Sequence, residues 1–445
     1  MNLVYKVNDR PKFGQLIVFA LQQLLAILAA TIAVPSIIGN GMSQSAALFG
    51  AGVGTIVYLL FTKFKSPVFL GSSFAFLGSM FAAFGGAASV SVGSAGLIIG
   101  AVFAGLVYVI IAIVVKCAGV KWISKLMPPV VIGPTVAIIG LSLAGNAIGN
   151  SFGFGSPQES YTMSGALWVN LICALVTLFT VIFFSVKGKK MTKLIPFILG
   201  IIAGYLVALA FTLIGNSMGK DSLKILDFSA FTAMKWVPEF TFIEAFKGLN
   251  AIDGKYIASI AVAYVPVAFV VFAEHIADHK NLSSIIEKEL LEEPGLHRTL
   301  LGDGVGSIAG AIFGGCPNTT YGESVGCVAI TKNASIITIL TTAIMAIIVS
   351  FFGPFVTFLA TIPSCVMGGV CITLYGFIAV SGLKMIKDVD LDKNNNLFVV
   401  SIILIAGIGG MTLKIGQVTL TEVACALILG IIVNLILSGS KKSQN

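Results

Sequence analysis

Residues 318–323 read Asn-Thr-Thr-Tyr-Gly-Glu and lie inside GAIFGGCPNTTYGESVGCVAIT (310–331), a stretch otherwise apolar and rich in glycine. A carboxylate, a tyrosine and paired threonines in such surroundings read either as a polar loop or as a binding site at membrane depth. A second stretch weighs on that choice. Residues 71–76 read GSSFAF, and Ser72-Ser73-Phe74-Ala75 lies over Thr319-Thr320-Tyr321-Gly322 at an offset of 247. Each reads hydroxyl, hydroxyl, aromatic, small. A further pair lies nearby in register: PPVVIGPTVAIIGLSLAG (128–145) against PSCVMGGVCITLYGFIAVSG, with Gly133 over Gly368 and Gly140 over Gly376, offsets 235 and 236. Small and apolar residues match easily by chance, so the weight falls on the first pair, whose hydroxyl-hydroxyl-aromatic order is unusual at membrane depth.

Composition sets the background. The 445 residues are 57% hydrophobic and 10% charged, with mean hydropathy +1.01. Soluble domains carry about a quarter charged residues, so a water-soluble globule is excluded. Apolar runs recur near 15–35, 45–62, 68–87, 94–115, 129–149, 164–186, 194–215, 256–277, 300–315, 317–331, 334–353, 355–382, 396–412 and 419–438. A run of about 20 apolar residues spans a bilayer as a helix. The chain therefore reads as an all-α polytopic membrane protein with 14 spans. Its first run is one of many and reads as a span rather than a signal peptide.

An even number of spans puts both ends on one side. With that side in the cytoplasm, 21 of the 27 Lys and Arg fall inside. Five of the other six (Lys220, Lys224, Lys235, Lys247 and Lys255) share one long outer connection, beside acids, where charge weighs least in the positive-inside rule. The net charge of +8 thus reflects orientation and not a nucleic-acid surface. The seven Cys show no C-x-x-C spacing and read as packing residues, with no disulfide frame and no metal site. Cofactor, Walker and hydrolase motifs are absent, which argues against an ATP-driven pump and an intramembrane enzyme.

Two similar motifs at a near-constant offset predict two halves of seven spans, the second inverted. Interrupted segments at matching positions of inverted repeats point to the midplane site of a secondary transporter. Both motifs look extended, through Pro, Gly and β-favouring residues, so spans 3 and 10 are expected to contain short non-helical stretches. Such backbone is tolerated at membrane depth only where protein buries it or a cavity hydrates it. A helix starting just beyond it offers free N–H groups and a positive dipole end.

Acids within spans are few. Glu274 and Asp278, four apart in VVFAEHIADHKN, share one helix face. Glu323 ends the second motif. An ionised carboxylate at such depth is costly unless paired, hydrogen-bonded or protonated, and by default marks function. Glu274 and Glu323 therefore read as ligand-binding residues, Glu323 with a capping role as well, and Asp278 as evenly balanced between ligand and hydrated acid. Asp303 is expected to partner backbone amides. His279, beside Lys280, is expected at the cytoplasmic surface, within a connecting helix over 279–304. Glu422 and Lys414 read as interfacial. Phe76 reads as packing; Phe74 and Tyr321, equivalent in the repeat, suit the faces of a flat conjugated ligand.

The segments GSSFAF, AEH, EPGLHRTLLGDG, PNTTYGESVGCVAIT and VMGGV…LYG resemble the nucleobase–cation symporter-2 family, also called nucleobase–ascorbate transporters, and most closely its bacterial uracil permease branch. The resemblance covers nearly the whole chain. It implies 14 spans in two inverted repeats. The implied core domain comprises residues 1–127 and 240–353 (spans 1–4 and 8–11), and the gate domain residues 128–239 and 354–445 (spans 5–7 and 12–14). It implies uracil uptake with a proton across the cell membrane, with no cofactor. Glu274 and Glu323 match the carboxylates that bind the base, Phe74 and Tyr321 the site aromatics, Ala75 and Gly322 the backbone contacts, and Tyr375 a gate-domain tyrosine near the site. A carboxylate, Glu274 or its neighbour Asp278, is expected to take the coupled proton as the site closes, since desolvation favours its neutral form. Three positions bear on specificity. Asp278 stands where uracil permeases often have His and is more typical of a xanthine branch. Gln23 stands where many relatives have His. Gly322-Glu323 replaces the Gln-Asn usual in purine carriers. A xanthine or purine permease is the near alternative and an anion exchanger on a related fold the distant one, the acidic site counting against the latter. Small residues in the gate spans allow a homodimer without requiring it.

Overall fold

The computed structural model describes residues 3–119, 128–154, 157–189, 192, 195–387, 389–415 and 418–439. The chain opens with α1 (Phe13–Ile38), which ends at Gly39 in a positive-φ conformation. Ser43 caps α2 (Gln44–Phe61), its hydroxyl accepting from the Ala46 N–H. A three-residue strand β1 (Leu70–Ser72) and the short helix α3 (Leu77–Gly85) follow, then α4 (Val90–Ala118), capped by Ser89. Next come α5 (Pro129–Ser142), α6 (Ala144–Ser151), α7 (Gly165–Lys187) and α8 (Pro196–Met218). Pro at the start of α5 and α8 suits a first turn, where its missing N–H is not needed. The outer connection holds α9 (Thr241–Gly248).

The second half contains α10 (Gly254–Ile286), α11 (Leu296–Gly314), the strand β2 (Asn318–Thr320), α12 (Gly322–Thr331) and α13 (Ile336–Ser350). It continues with α14 (Gly353–Ala360), α15 (Ser364–Ile386), α16 (Asn394–Ile408), the hairpin β3 (Leu413–Ile415) and β4 (Val418–Leu420), and α17 (Glu422–Gly439). Each of the 14 apolar segments thus contains a helix, a pair of helices or a strand–helix pair. Among the described residues eight helical stretches are long and apolar enough to cross a membrane, one of them α5 and α6 taken together. The chain is a multi-pass membrane protein.

The structure differs from the sequence reading at three places. The stretch 279–304 is no connecting helix. It is the end of α10, a turn around Pro294 and the start of α11. The apolar run 355–382 is broken: α14 turns off α13 at 81°, and α15 starts afresh after Pro363. The run 396–412 stops as helix at Ile408, and a hairpin follows. The residues before α1 are tied to those after α12: Val4 N–H donates to the Lys332 carbonyl at 2.8 Å, and Ala334 N–H to the Tyr5 carbonyl at 2.9 Å. Hydropathy reports none of these, because it averages over turns that cost little local apolar content.

The helices pack in two groups. In one, α11 lies between α2 and α4, α13 packs on α2 and α1, and α10 on α4. In the other, α15 packs on α5 and α7, α7 on α8, and α16 on α17 and α5. Close approach rests on glycine. A Cβ on Gly50 of α2 would lie 2.5 Å from the Gly310 carbonyl oxygen of α11, and one on Gly140 of α5 would lie 2.2 Å from the Tyr375 carbonyl oxygen of α15. Fewer contacts join the groups, among them α10 with α17 and α1 with α8.

Candidate functional site

The two quoted motifs meet. β1 and β2 pair antiparallel, Leu70 opposite Thr320, Gly71 opposite Thr319 and Ser72 opposite Asn318. Shifting each residue by 247 exchanges the last two pairs. The next contact, Ser73 N–H to the Pro317 carbonyl at 2.9 Å, follows the same rule when set against Leu70–Thr320. The crossing thus has a local two-fold character. A two-stranded pair this short is marginal alone, and side chains hold it. Tyr321 donates its hydroxyl to the Ser72 carbonyl at 2.7 Å while its ring covers Gly71, where a Cβ would fall 2.3 Å from the ring. Asn318 donates to the Gly50 carbonyl at 3.0 Å.

Each strand leads into a short helix, α3 after Phe76 and α12 after Tyr321. The first N–H groups of such helices lack intrahelical acceptors and point back along the axis. Glu323 sits in the first turn of α12. Beside it, Ser324 Oγ accepts from the Phe69 N–H at 3.1 Å and from Gln23 Nε2 at 2.6 Å, joining α12 to α1 and to the residue that precedes β1.

A cavity of about 350 Å³ opens at this crossing, toward the lower end of the usual range for ligand sites, about 300–1,000 Å³. Phe74, Ala75, Tyr321, Gly322, Glu323, Glu274 and Asp278 all line it. Glu274 and Asp278 enter from one face of α10, and Thr320 donates to Asp278 Oδ2 at 3.1 Å. The opposite wall comes from α5, α8 and the C-terminal half of α15, through Val136, Phe197, Phe377 and Met385. Among the described residues, no Lys or Arg lines the cavity. Tyr375 stands outside the lining and meets Phe74 edge-on, ring centroids 6.0 Å apart. Phe76 turns away and stacks on Tyr264.

Two readings are corrected. Asp303 partners a side chain, not backbone amides: its Oδ2 lies 2.7 Å from His275 Nδ1. His279 is not at the surface. It is fully buried, with Nε2 2.7 Å from the Tyr58 hydroxyl. Its neighbour Lys280 is exposed, so adjacency misled, because successive helical residues point about 100° apart. Glu422 is half-buried, and the Lys414 side chain lies outside the described residues. Ser324 and Asn318 escaped the sequence reading. Their small polar side chains inside the motif were the available signal, yet their partners stand hundreds of positions away.

Comparison with known proteins bears on this geometry. The model of the permease family matches residues 14–416. The chain is 40% identical over 439 residues to the uracil permease of Bacillus caldolyticus, covering 98% of this chain and 95% of that protein. It is 37% identical over 444 residues to the uracil permease of Bacillus subtilis (strain 168), covering 98% and 96%. Among solved structures, the transmembrane domain of a cyanobacterium bicarbonate transporter, BicA, is similar with TM-score 0.64 and 17% identity over 98% of this chain and 99% of that one. That likeness concerns the fold alone.

Proposed function

The chain belongs to the permease family, the nucleobase–ascorbate transporters, and from that premise we propose that it takes up uracil together with a proton across the cell membrane. The observation that carries the reading is the cavity into which Glu274, Glu323 and the start of α12 all converge. Uracil is a flat ring with two N–H donors and two carbonyl acceptors. Carboxylates accept from the N–H groups, the first-turn N–H groups of α12 donate to a carbonyl, and Phe74 covers a face. The relatives' names supply the same substrate.

The packing supports a mechanism. Spans 1–4 and 8–11 form a core and spans 5–7 and 12–14 a gate, as two inverted seven-span halves with both termini in the cytoplasm. The cavity lies between them, bounded on α15 by its C-terminal half, the end that carries Lys384 and Lys387, and so faces inward. Movement of the core against the gate gives alternating access. Glu274 or Asp278 takes the coupled proton when the cavity closes and water leaves, since a desolvated carboxylate is costly as an ion.

The deciding experiment is uptake of radiolabelled uracil by transport-deficient bacteria, wild type against Glu323→Gln at matched abundance. Loss of uptake in the variant, by about tenfold or more, is expected. Equal uptake would reduce Glu323 to a helix cap. No uptake by wild type would move the substrate to a purine, and competition by unlabelled xanthine tests that directly. The distant alternative is anion transport on a related fold. The acidic lining opposes it, and uracil uptake unaffected by excess bicarbonate is the expected result.

A further inference from the structure

One residue along α10 from the two cavity carboxylates stands a second pair. His275 and His279 are four apart, about 100° around the axis from Glu274 and Asp278, and both are fully buried. Their rings stack at 4.0 Å. Buried ring nitrogens need partners, and all four have them. His275 Nδ1 lies 2.7 Å from Asp303 Oδ2 and its Nε2 lies 3.0 Å from Thr299 Oγ1, both on α11. His279 Nε2 lies 2.7 Å from the hydroxyl of Tyr58 on α2, which also bonds Ser66 at 2.7 Å. His279 Nδ1 faces the His275 carbonyl at 2.8 Å, an acceptor, and so carries a hydrogen. Three of the four contacts therefore leave α10 and tie it to α2 and α11.

We infer that His275 and His279 are positioning residues that clamp the rotation of α10 and thereby fix the bearing at which Glu274 and Asp278 enter the cavity. Between Val267 and Phe272 α10 packs through apolar side chains such as Val267, Val271 and Phe272. Its other hydrogen bonds lie toward its ends or on Asp278 itself: the Tyr256 hydroxyl to the Ala83 carbonyl, Ser79 to the Ala263 carbonyl, and Thr320 to Asp278. Apolar contact is non-directional, so it resists a small turn of the helix weakly. Hydrogen bonds weaken steeply away from linearity. Side-chain tips lie about 5 Å from a helix axis, so a turn of about 20° displaces them by about 2 Å. That is enough to break a hydrogen bond to a bound ring. The clamp meets the helix on the face next to the carboxylates and spans the same two turns, where such support is most effective.

The test needs variants that remove a contact and keep the shape. Tyr58→Phe removes the hydroxyl on His279 and Thr299→Val the one on His275; Thr299→Ser restores it. The transport readout rests on the uracil reading of the cavity. Each loss variant is expected to raise the KM for uracil about tenfold, with maximal uptake and membrane abundance within about twofold of wild type, and Thr299→Ser to return the KM. A second readout does not depend on the substrate. In a Cys117→Ser background, whose other native cysteines are buried, Asp278→Cys faces the cavity and reacts with a small water-soluble methanethiosulfonate. Tyr58→Phe is expected to slow that reaction about fivefold, and to leave the reaction of Ser381→Cys, on the far wall, unchanged. An unchanged rate for Asp278→Cys, or an equal fall at position 381, overturns the clamp. So does a loss of maximal uptake matched by lost abundance with an unchanged KM. If wild type takes up no uracil, the uracil reading fails, and the thiol rates still decide the clamp.

Discussion

At Ser324 one hydroxyl oxygen accepts from the Phe69 N–H and from Gln23 Nε2. All three residues are buried. Ser324→Ala leaves the Phe69 N–H without its acceptor and the Gln23 amide with only the 3.4 Å contact to the Ser324 carbonyl, which costs about 1–3 kcal/mol. A lower Tm of the purified protein in detergent is the expected result, with a raised KM because Glu323 is the adjacent residue. Tyr321 allows a cleaner dissection. Tyr321→Phe loses only the bond to the Ser72 carbonyl, about 1 kcal/mol, whereas Tyr321→Ala also uncovers Gly71 and leaves a void, about 3–5 kcal/mol. Melting curves that place the two variants together would mean the ring does little for the strand crossing.

At the scale of elements, the strands β1 and β2 are too short to hold themselves, and the helices around them set their place. The packing that brings α15 beside α5 depends on Gly140, whose missing side chain leaves room for the Tyr375 carbonyl. Gly140→Val is expected to destabilise the protein by about 1–3 kcal/mol. Because α15 carries Phe377 and Met385 of the cavity wall, uptake should fall beyond the loss of folded protein. Purification yield, thermal melting and uptake per folded molecule, measured on the same variant, separate the two effects. A Gly140→Val protein as stable as wild type would mean that α5 and α15 stand farther apart than described. The i,i+4 spacing of Glu274 and Asp278 was readable from the sequence. That His275 and His279 occupy an adjacent, wholly buried face was not, since polarity and proximity to Lys280 pointed to water.

At the scale of the molecule, the cavity lies where the two helix groups face each other, and the proposed proton coupling is tested at its acids. Uptake into membrane vesicles is expected to rise with an inward proton gradient and to collapse on addition of a protonophore. Uptake indifferent to both would remove proton coupling from the proposal and leave facilitated transport. Asp278→Asn separates the roles of the α10 acids: if Asp278 carries the proton, gradient-driven accumulation is lost while exchange of internal for external uracil persists.

The sequence by itself determined the solvent of this protein, the positions of its apolar segments, the two broken motifs and the acids they accompany. Those properties are local: hydropathy, periodicity and turn chemistry sum over neighbours in the chain. It also pointed, through a 247-residue offset, to a relation between the motifs. Only the tertiary structure decided that they pair as strands, that Gln23 reaches Ser324, that Thr320 meets Asp278 and that α10 is pinned through its histidines. Each of those contacts joins residues tens to hundreds of positions apart. Their partners are chosen by which helix faces come together, and close packing between glycine-lined helices is a property of two surfaces that no single stretch contains.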